Sequence, residues 1–147
     1  MSIPFSEVLL RLGVAAVLGG LIGLEREYRN KAAGLRTNIL ITLGSGLFAI
    51  LSLQLGAANG SSDRVAAQIV TGIGFLGGGA ILHSRGGVHG LTTAATIWVN
   101  AGIGVAAGIG SFAVATASAL LTLVVLVLLP LIENRIPERR DEHLRRQ

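Results

Sequence analysis

The chain has no cysteine, and this absence removes several kinds of site at once. Disulfides, thiol catalysis and cysteine-ligated zinc are excluded, and the redox compartment is left open. Aromatic residues make up only 4% of the sequence, too few to build stacking platforms for nucleic-acid bases. Charged residues are scarce as well, at 14%. We therefore expect neither a thiol enzyme nor a nucleic-acid-binding protein.

What remains is mostly apolar, with 51% hydrophobic residues among 147 and a mean hydropathy of +0.68. Five apolar runs of 17 to 21 residues are each about long enough to cross a hydrocarbon core of roughly 30 Å. They cover residues 8–24, 38–58, 65–82, 94–110 and 112–132. No basic residue precedes the first run, which argues against a cleavable signal peptide. We predict an all-α polytopic membrane protein of about five transmembrane helices, with a membrane domain over 1–132 and a charged cytoplasmic tail over 133–147.

The basic residues are distributed unevenly between the two sides of such a bundle. Ten of the 12 fall on one side of a five-span arrangement, namely Arg26, Arg29, Lys31, Arg36, Arg85, Arg135, Arg139, Arg140, Arg145 and Arg146. Only Arg11 and Arg64 fall on the other side. The positive-inside rule makes the basic side cytoplasmic. The N-terminus is therefore expected outside and the C-terminus inside.

An internal repeat is indicated when the sequence is shifted by 56 positions. The shift aligns Gly23 with Gly79, Gly34 with Gly90, Leu35 with Leu91, Thr37 with Thr93, Gly46 with Gly102 and Glu7 with Asp63. The pattern fits two parallel helix–loop–helix units followed by a fifth helix without a counterpart. Chance alignment among so many glycines is the alternative.

Glycines recur one helical turn apart at Gly19 and Gly23, Gly74 and Gly78, and Gly104 and Gly108. Small residues at this spacing let membrane helices approach closely. The three consecutive glycines at 77–79 either extend such a contact or break the helix so that carbonyl groups line a cavity. The predicted close-packing residues are Gly23, Gly74, Gly77, Gly78 and Gly79. A homo-oligomer, such as a dimer, is expected to follow from this packing.

A candidate polar cluster lies at the predicted inner ends of the first, second and fourth helices. It consists of Glu25, Arg26, Arg36, Thr37, Thr92 and Thr93. Because helix N-termini favour a carboxylate, we predict a Glu25–Arg36 ion pair, with Thr37 and Thr93 as N-caps. The cluster is either a structural lock or a working site. Three charged neighbours are interpreted as a solvated face: Glu27, Arg29 and Lys31.

A second candidate cluster lies on the predicted outer side and comprises Arg11, Asp63, Arg64 and Gln68. A charge costs about 2.5–3.5 kcal/mol at the middle of a membrane helix, so Arg11 should pair or reach the interface. Asp63 is either a helix cap or part of an ion or substrate entry. Asn100, deep in the fourth run, favours an interhelical hydrogen bond over a ligand role.

No residue pattern identifies a metal site or a resident cofactor. The three histidines, His83, His89 and His143, have neither metal-ligand spacing nor a neighbouring carboxylate cluster. Mg²⁺ could still be handled as a ligand or substrate, because it keeps most of its waters and needs only one or two carboxylates. No nucleophile–base arrangement is visible, so we expect no covalent catalysis.

Five segments carry a family pattern: GGLIGLERE at 19–27, AGLRT at 33–37, Asp63-Arg64, GIGFLGGGAI at 72–81 and GLTTAATIW at 90–98. They run in order across about residues 8–132 and together resemble the membrane domain of the MgtC/SapB family. Long family members carry a C-terminal cytoplasmic domain, so the resemblance is to a short member without it. The residues that match the family's motif positions are Glu25, Arg26, Arg36, Asp63 and Arg64.

The resemblance implies a bacterial inner-membrane protein linked to magnesium homeostasis. One mechanism is a small cation transporter or channel-like protein, with Asp63 at an outer entry and Glu25 at an inner gate. The other is a regulator that binds another membrane complex, such as a magnesium pump or the ATP synthase. A continuous polar path would favour transport, whereas lipid-facing glycine and alanine surfaces would favour the regulator.

Overall fold

The computed structural model describes residues 3–59, 63–84 and 87–133, and within them it contains five α-helices and one short hairpin. In chain order these are α1 (Phe5–Tyr28), α2 (Leu35–Asn59), α3 (Asp63–Gly79), β1 (Leu82–Ser84), β2 (Gly87–His89), α4 (Leu91–Gly108) and α5 (Phe112–Glu133). Each predicted apolar run falls largely on one helix. The prediction of an all-α polytopic membrane protein is confirmed.

Four helices have the length and hydropathy needed to cross a membrane. In the described part of the chain these are Phe5–Tyr28, Leu35–Gly56, Leu91–Gly108 and Phe112–Ile132. The remaining helix, α3, has 17 residues and is therefore about 26 Å long.

The third predicted span ends too late in the sequence. It was expected to continue to residue 82, but α3 ends at Gly79 and β1 pairs with β2, with Leu82 opposite His89. Consecutive glycines weaken a helix end because each loses more backbone freedom than any other residue on folding. Gly90 then takes a left-handed φ of 89° immediately before α4 begins.

The contacts between α2 and α4 fix their relative direction. Near the start of α2, Asn38 accepts a hydrogen bond from Asn100 of α4. Further along α2, Ala49 lies beside Gly108 of α4, since a methyl group added at Gly108 would lie 2.9 Å from Ala49 Cβ. Residue numbers rise together in both helices, so α2 and α4 run parallel. Between two parallel helices the chain must return once across the bundle, and α3 makes this return.

The direction of α1 follows from its contacts with α2. A methyl group at Gly23, late in α1, would lie 2.8 Å from Leu35 Cα, whereas one at Gly46, later in α2, would lie 3.6 Å from Ala15 Cβ. The two helices are therefore antiparallel. We call the end formed by the last turn of α1 and the first turn of α2 the basic end, because Arg26, Arg29, Lys31 and Arg36 lie there.

Helix α5 runs parallel to α1. A methyl group at Gly110, just before α5, would lie 3.0 Å from Arg11 Nη2, and near the other end Arg29 Nη2 donates to the Val127 carbonyl at 3.4 Å. The last described residues of α5 therefore lie on the same side of the bundle as the basic end.

The core is built mainly from small residues around α4, which packs against all four other helices. One cluster joins α1, α4 and α5 through Ala15, Leu18, Ile22, Ile103, Ala106, Ala107, Ala115, Ala119 and Leu126. A second lies beneath α2 and α3 and contains Ala33, Ile41, Ile73, Ile97 and Ala101. Many exposed side chains are large and apolar, as a bilayer environment requires.

Two of the three predicted glycine pairs lie at close helix contacts. Gly19 and Gly23 face α2, and Gly104 and Gly108 do the same from α4, since an added methyl group at each would meet α2 atoms at 2.9 Å or less. The close packing predicted for Gly23 is thus confirmed.

The other predicted close-packing glycines make no close helix contact within the described chain, and close packing there against another helix stays a prediction. A methyl group at Gly74, Gly78 or Gly79 would meet no atom within 4 Å, and one at Gly77 would make only an ordinary contact, 3.5 Å from the Ala94 carbonyl oxygen. The reason is that α3 lies at the edge of the bundle. Gly74, Gly78 and Gly79 are exposed there, and Gly77 is buried beside α4 without a close contact.

The proposed repeat agrees with the helix boundaries. The second helix of each unit begins on the leucine pair aligned by the shift, Leu35 and Leu91. The first helices differ, with 24 residues in α1 and 17 in α3. The duplication remains a prediction, which the parallel course of α2 and α4 supports.

Candidate functional site

The basic end is organised around the Glu25 carboxylate, which two arginines of the same helix share. Arg26 Nε lies 2.8 Å from Oε2, and Arg29 Nε lies 2.7 Å from Oε1. The Arg26 side chain is only 3% exposed and the Glu25 side chain 10%, so this charge pair is largely removed from water. One guanidinium nitrogen, Arg26 Nη1, is buried without a hydrogen-bond partner among the described residues.

The predicted Glu25–Arg36 ion pair is wrong in this structure. Arg36 is exposed, and it takes part in no ion pair within the described ranges. Arg29 binds Glu25 instead because residues four apart face each other on a helix.

The predicted threonine caps are also wrong, because both helices begin earlier than expected. Leu35 starts α2, and its backbone N–H donates to Glu27 Oε2 at 2.7 Å. Glu27 is therefore a capping residue and not simply part of a solvated face. Gly90 is the N-cap of α4, which places Thr93 inside the first turn, where it is buried. Thr92 is exposed, and its carbonyl oxygen accepts from Thr96 Oγ1 at 2.8 Å.

A buried asparagine pair, Asn38 and Asn100, joins α2 to α4. Asn100 Nδ2 donates to Asn38 Oδ1 at 2.6 Å, and both residues are fully buried. This confirms the predicted interhelical hydrogen bond of Asn100. Asn38 Nδ2 in turn donates to the Ala33 and Gly34 carbonyls at 2.7 and 2.8 Å. Asn100 Oδ1 accepts no hydrogen bond within the described part of the chain.

Asn38 itself was missed by the sequence interpretation. Asn38 is the first residue of the second apolar run, and the shift of 56 positions places Ala94 opposite it. An amide at the start of an otherwise apolar helix was the available signal, because such a group needs a partner once it is buried.

At the opposite end of the bundle, Arg11 pairs as predicted. Its Nε lies 2.8 Å from Glu7 Oε1, and its Nη1 donates to the Gly108 carbonyl at 2.9 Å, which satisfies the C-terminus of α4. The side chains of Asp63 and Arg64 lie outside the described residues, so the predicted outer cluster is not assembled here. Gln68 is exposed and faces a groove.

That groove, the α2–α3 groove, is a cleft of about 930 Å³ whose floor is formed by Thr93 and Ile97 of α4. Its walls are largely aliphatic and aromatic, with Phe48 on α2 and Phe75 on α3. A smaller polar cavity of about 590 Å³, the loop pocket, lies beside the α1–α2 loop. The sequence did not predict either cavity.

Together these features define a small helical membrane protein with a buried polar centre, a charged end and a lateral apolar groove. A family model described as the MgtC family matches residues 12–135. The chain therefore belongs to the MgtC family, as its motifs indicated.

Similar proteins include the protein MgtC of Salmonella typhimurium, 46% identical over 128 residues, which are 87% of this chain and 54% of that protein. The "Putative magnesium transporter YhiD" of Escherichia coli K12 is 45% identical over 82% of this chain and 60% of its own length. An uncharacterised Synechocystis protein is 48% identical over 82% and 51%. The chain spans about half the length of these curated relatives. No solved structure matches the chain.

Proposed function

We propose that the chain acts in magnesium homeostasis in the bacterial inner membrane, as a regulator that binds another membrane protein and catalyses no covalent reaction. Membership in the MgtC family and the magnesium-related name of the Escherichia coli relative support the link to magnesium. The basic end would face the cytoplasm, with the N-terminus outside, in keeping with the positive-inside rule.

One observation carries the choice of a regulator, namely the open glycine face of α3. An added methyl group at Gly74 or Gly78 would meet nothing within 4 Å. Exposed small residues one turn apart allow a second helix to approach the backbone closely, which is how helices associate where lipid supplies no hydrophobic drive. A second copy of this chain or a different membrane protein could supply that helix.

The described carboxylates give less support to a cation path. Glu7 pairs with Arg11, Glu25 pairs with two arginines, and Glu27 caps α2. Each carboxylate already has a donor, whereas a partly dehydrated Mg²⁺ needs one or two that are free to bind it. Transport remains the second candidate, favoured by the unpartnered Asn100 Oδ1, a carbonyl oxygen of the kind that coordinates cations.

A matched pair of variants tests the regulator. Gly78 and Gly102 are both exposed helical glycines with open space around an added methyl group, but only Gly78 lies on the proposed face. We expect Gly78→Leu to accumulate normally and to lose growth in low magnesium, whereas Gly102→Leu should support growth. The measurement is complementation of a deletion strain, normalised to the amount of membrane protein.

Wild-type growth from Gly78→Leu at equal abundance would exclude this face from the function. Flux assays on the purified chain in liposomes separate the two candidates. Magnesium flux above that of empty liposomes would show that the chain is a transporter and would contradict the proposed role as a regulator.

A further inference from the structure

The α2–α3 groove and the loop pocket are neighbours, because Ala32 and Thr37 line both cavities. We propose that together they bind a single anionic phospholipid, with its acyl chains in the groove and its phosphate beside Lys31 and Arg36. This lipid site is separate from the proposed partner-binding face, which is the opposite side of α3 with Gly74 and Gly78.

The groove has the chemistry of an acyl-chain site. All but four of its lining residues are apolar, the exceptions being Thr37, Ser45, Gln68 and Thr93. It lies along the membrane-spanning part of α2, where the surrounding solvent is hydrocarbon. An apolar cleft of this kind does not retain water, since water requires several polar partners. Lipid acyl chains are therefore the expected occupants of the groove.

The loop pocket has the chemistry of a headgroup site. Lys31 and Arg36 line it and are exposed, and no ion pair engages either of them in the described part of the chain. The single carboxylate of the pocket, Glu27, is occupied by the Leu35 backbone N–H at 2.7 Å. The charged side chains of the loop pocket are therefore two cations, Lys31 and Arg36, and one carboxylate, Glu27, so the net charge of the pocket is positive. Basic pockets at this depth between membrane helices attract anionic headgroups.

The two cavities lie next to each other near the start of the candidate span of α2, which suits an amphiphile. The candidate span of α2 begins at Leu35, so Thr37, which lines both the polar cavity and the apolar cleft, lies about 3 Å inside it. A molecule with an anionic head and hydrocarbon tails matches both cavities at once. A neutral lipid would match only the groove, and a free anion only the pocket.

Charge argues against a transmembrane helix as the occupant. An apolar helix could lie along the groove, but it would leave the two cations of the loop pocket, Lys31 and Arg36, without a counter-charge.

Native mass spectrometry of the purified full chain, delipidated in detergent and titrated with defined lipids, tests the proposal. We expect phosphatidylglycerol to bind more tightly than phosphatidylethanolamine. Lys31→Gln and Arg36→Gln should each weaken phosphatidylglycerol binding about fivefold, as expected for one basic residue near an anionic surface. The charge-retaining variants Lys31→Arg and Arg36→Lys should restore the preference.

The groove is tested by filling it. Gly72 lines the groove and an added methyl group there would meet nothing within 4 Å, so Gly72→Leu should keep the fold and weaken the binding of both lipids. Gly102→Leu, equally unhindered but not part of the groove lining, is the control and should bind like wild type.

Several results would overturn the site. Equal binding of the two lipids by the wild type would rule out the loop pocket as a headgroup site. Equal effects of Gly72→Leu and Gly102→Leu would rule out the groove as an acyl-chain site. Displacement of phosphatidylglycerol by millimolar inorganic phosphate would reassign the pocket to a free anion. These readouts do not involve growth, so they fail or succeed independently of the regulator.

Discussion

Asn38 joins α2 to the preceding loop and to α4 through hydrogen bonds of its side chain. Its amide nitrogen bonds two carbonyls of the preceding loop, and its amide oxygen accepts from Asn100 on α4. All three bonds involve a fully buried side chain, where an unpaired polar group would cost about 1–3 kcal/mol. One amide thereby fixes both the start of α2 and the register of the parallel α2–α4 pair.

Glu25 supports a prediction at the same scale. Glu25→Gln would remove the charge that compensates Arg26, whose side chain is 3% exposed. Removing one partner of a buried pair costs about 3–5 kcal/mol, and a loss in this range is expected because glutamine offers one acceptor oxygen where Glu25 offers two to Arg26 and Arg29. Exposed Arg36 has no such partner among the described residues, so Arg36→Gln should stay within about 0.5 kcal/mol of wild type.

The measurement is thermal unfolding of both variants in detergent without added phospholipid. A large loss of stability is expected for Glu25→Gln alone. Low-magnesium growth of that variant should then follow its protein level if the ion pair is only structural. Loss of growth at normal abundance would instead assign Glu25 a working role, and equal destabilisation by both variants would contradict the observed pairing.

The choice of partner for Glu25 shows where residue-level reasoning from sequence stops. Several arginines lie within reach of it along the chain, and local charge chemistry alone does not rank them. The ranking comes from helix phase, which puts Arg29 one turn away, and from the early start of α2, which leaves Arg36 exposed. The asparagine pair depends on the fold itself, since 62 positions separate its members.

At the scale of elements, glycine spacing predicts a contact face but not the partner of that face. Gly19 with Gly23 and Gly104 with Gly108 meet α2 inside the bundle, whereas Gly74 and Gly78 have the same spacing and meet nothing in the described chain. The difference is one of position, because α2 lies between α1 and α4 while α3 lies at the edge. Helix boundaries were predicted to within a few residues, and the hairpin after α3 was not.

Two glycines of α4 give a matched test of this packing. A methyl group at Gly104 would lie 2.9 Å from Ser45 Cβ and Thr42 Cα, whereas one at Gly102 would meet nothing within 4 Å. Gly104→Leu should therefore cost more than the roughly 1–3 kcal/mol of ordinary overpacking, because backbone and not only side chains must move. Gly102→Leu should retain the wild-type Tm.

The readout is the folded fraction on size-exclusion chromatography together with the Tm in detergent. Both substitutions add the same side chain to the same helix, so differences in hydrophobicity or helix propensity cancel. Similar behaviour of the two variants would mean that α2 and α4 do not approach as closely as described.

At the scale of the whole molecule, helix directions bear on how many times the chain crosses the membrane. The parallel course of α2 and α4 requires a return between them, and α3 provides it with 17 residues. Its length of about 26 Å is slightly less than a typical hydrocarbon core of roughly 30 Å, which local thinning of the bilayer can accommodate at modest cost. We therefore assign five crossings, with the shortest at α3.

The number of crossings can be measured with reporters at two positions. Five crossings from an outside N-terminus put residues 60–62 outside and residue 147 in the cytoplasm, whereas a chain in which α3 does not cross would leave residue 147 outside. We expect a reporter fused after Gln147 to be active in the cytoplasm and one inserted at 60–62 to be active outside. The basic residues of the α1–α2 loop and the tail favour this orientation because cations are retained on the cytoplasmic side. An outside signal from residue 147 would reduce the crossings to four and would require α2 and α4 to be antiparallel, contrary to the Asn38–Asn100 and Ala49–Gly108 contacts.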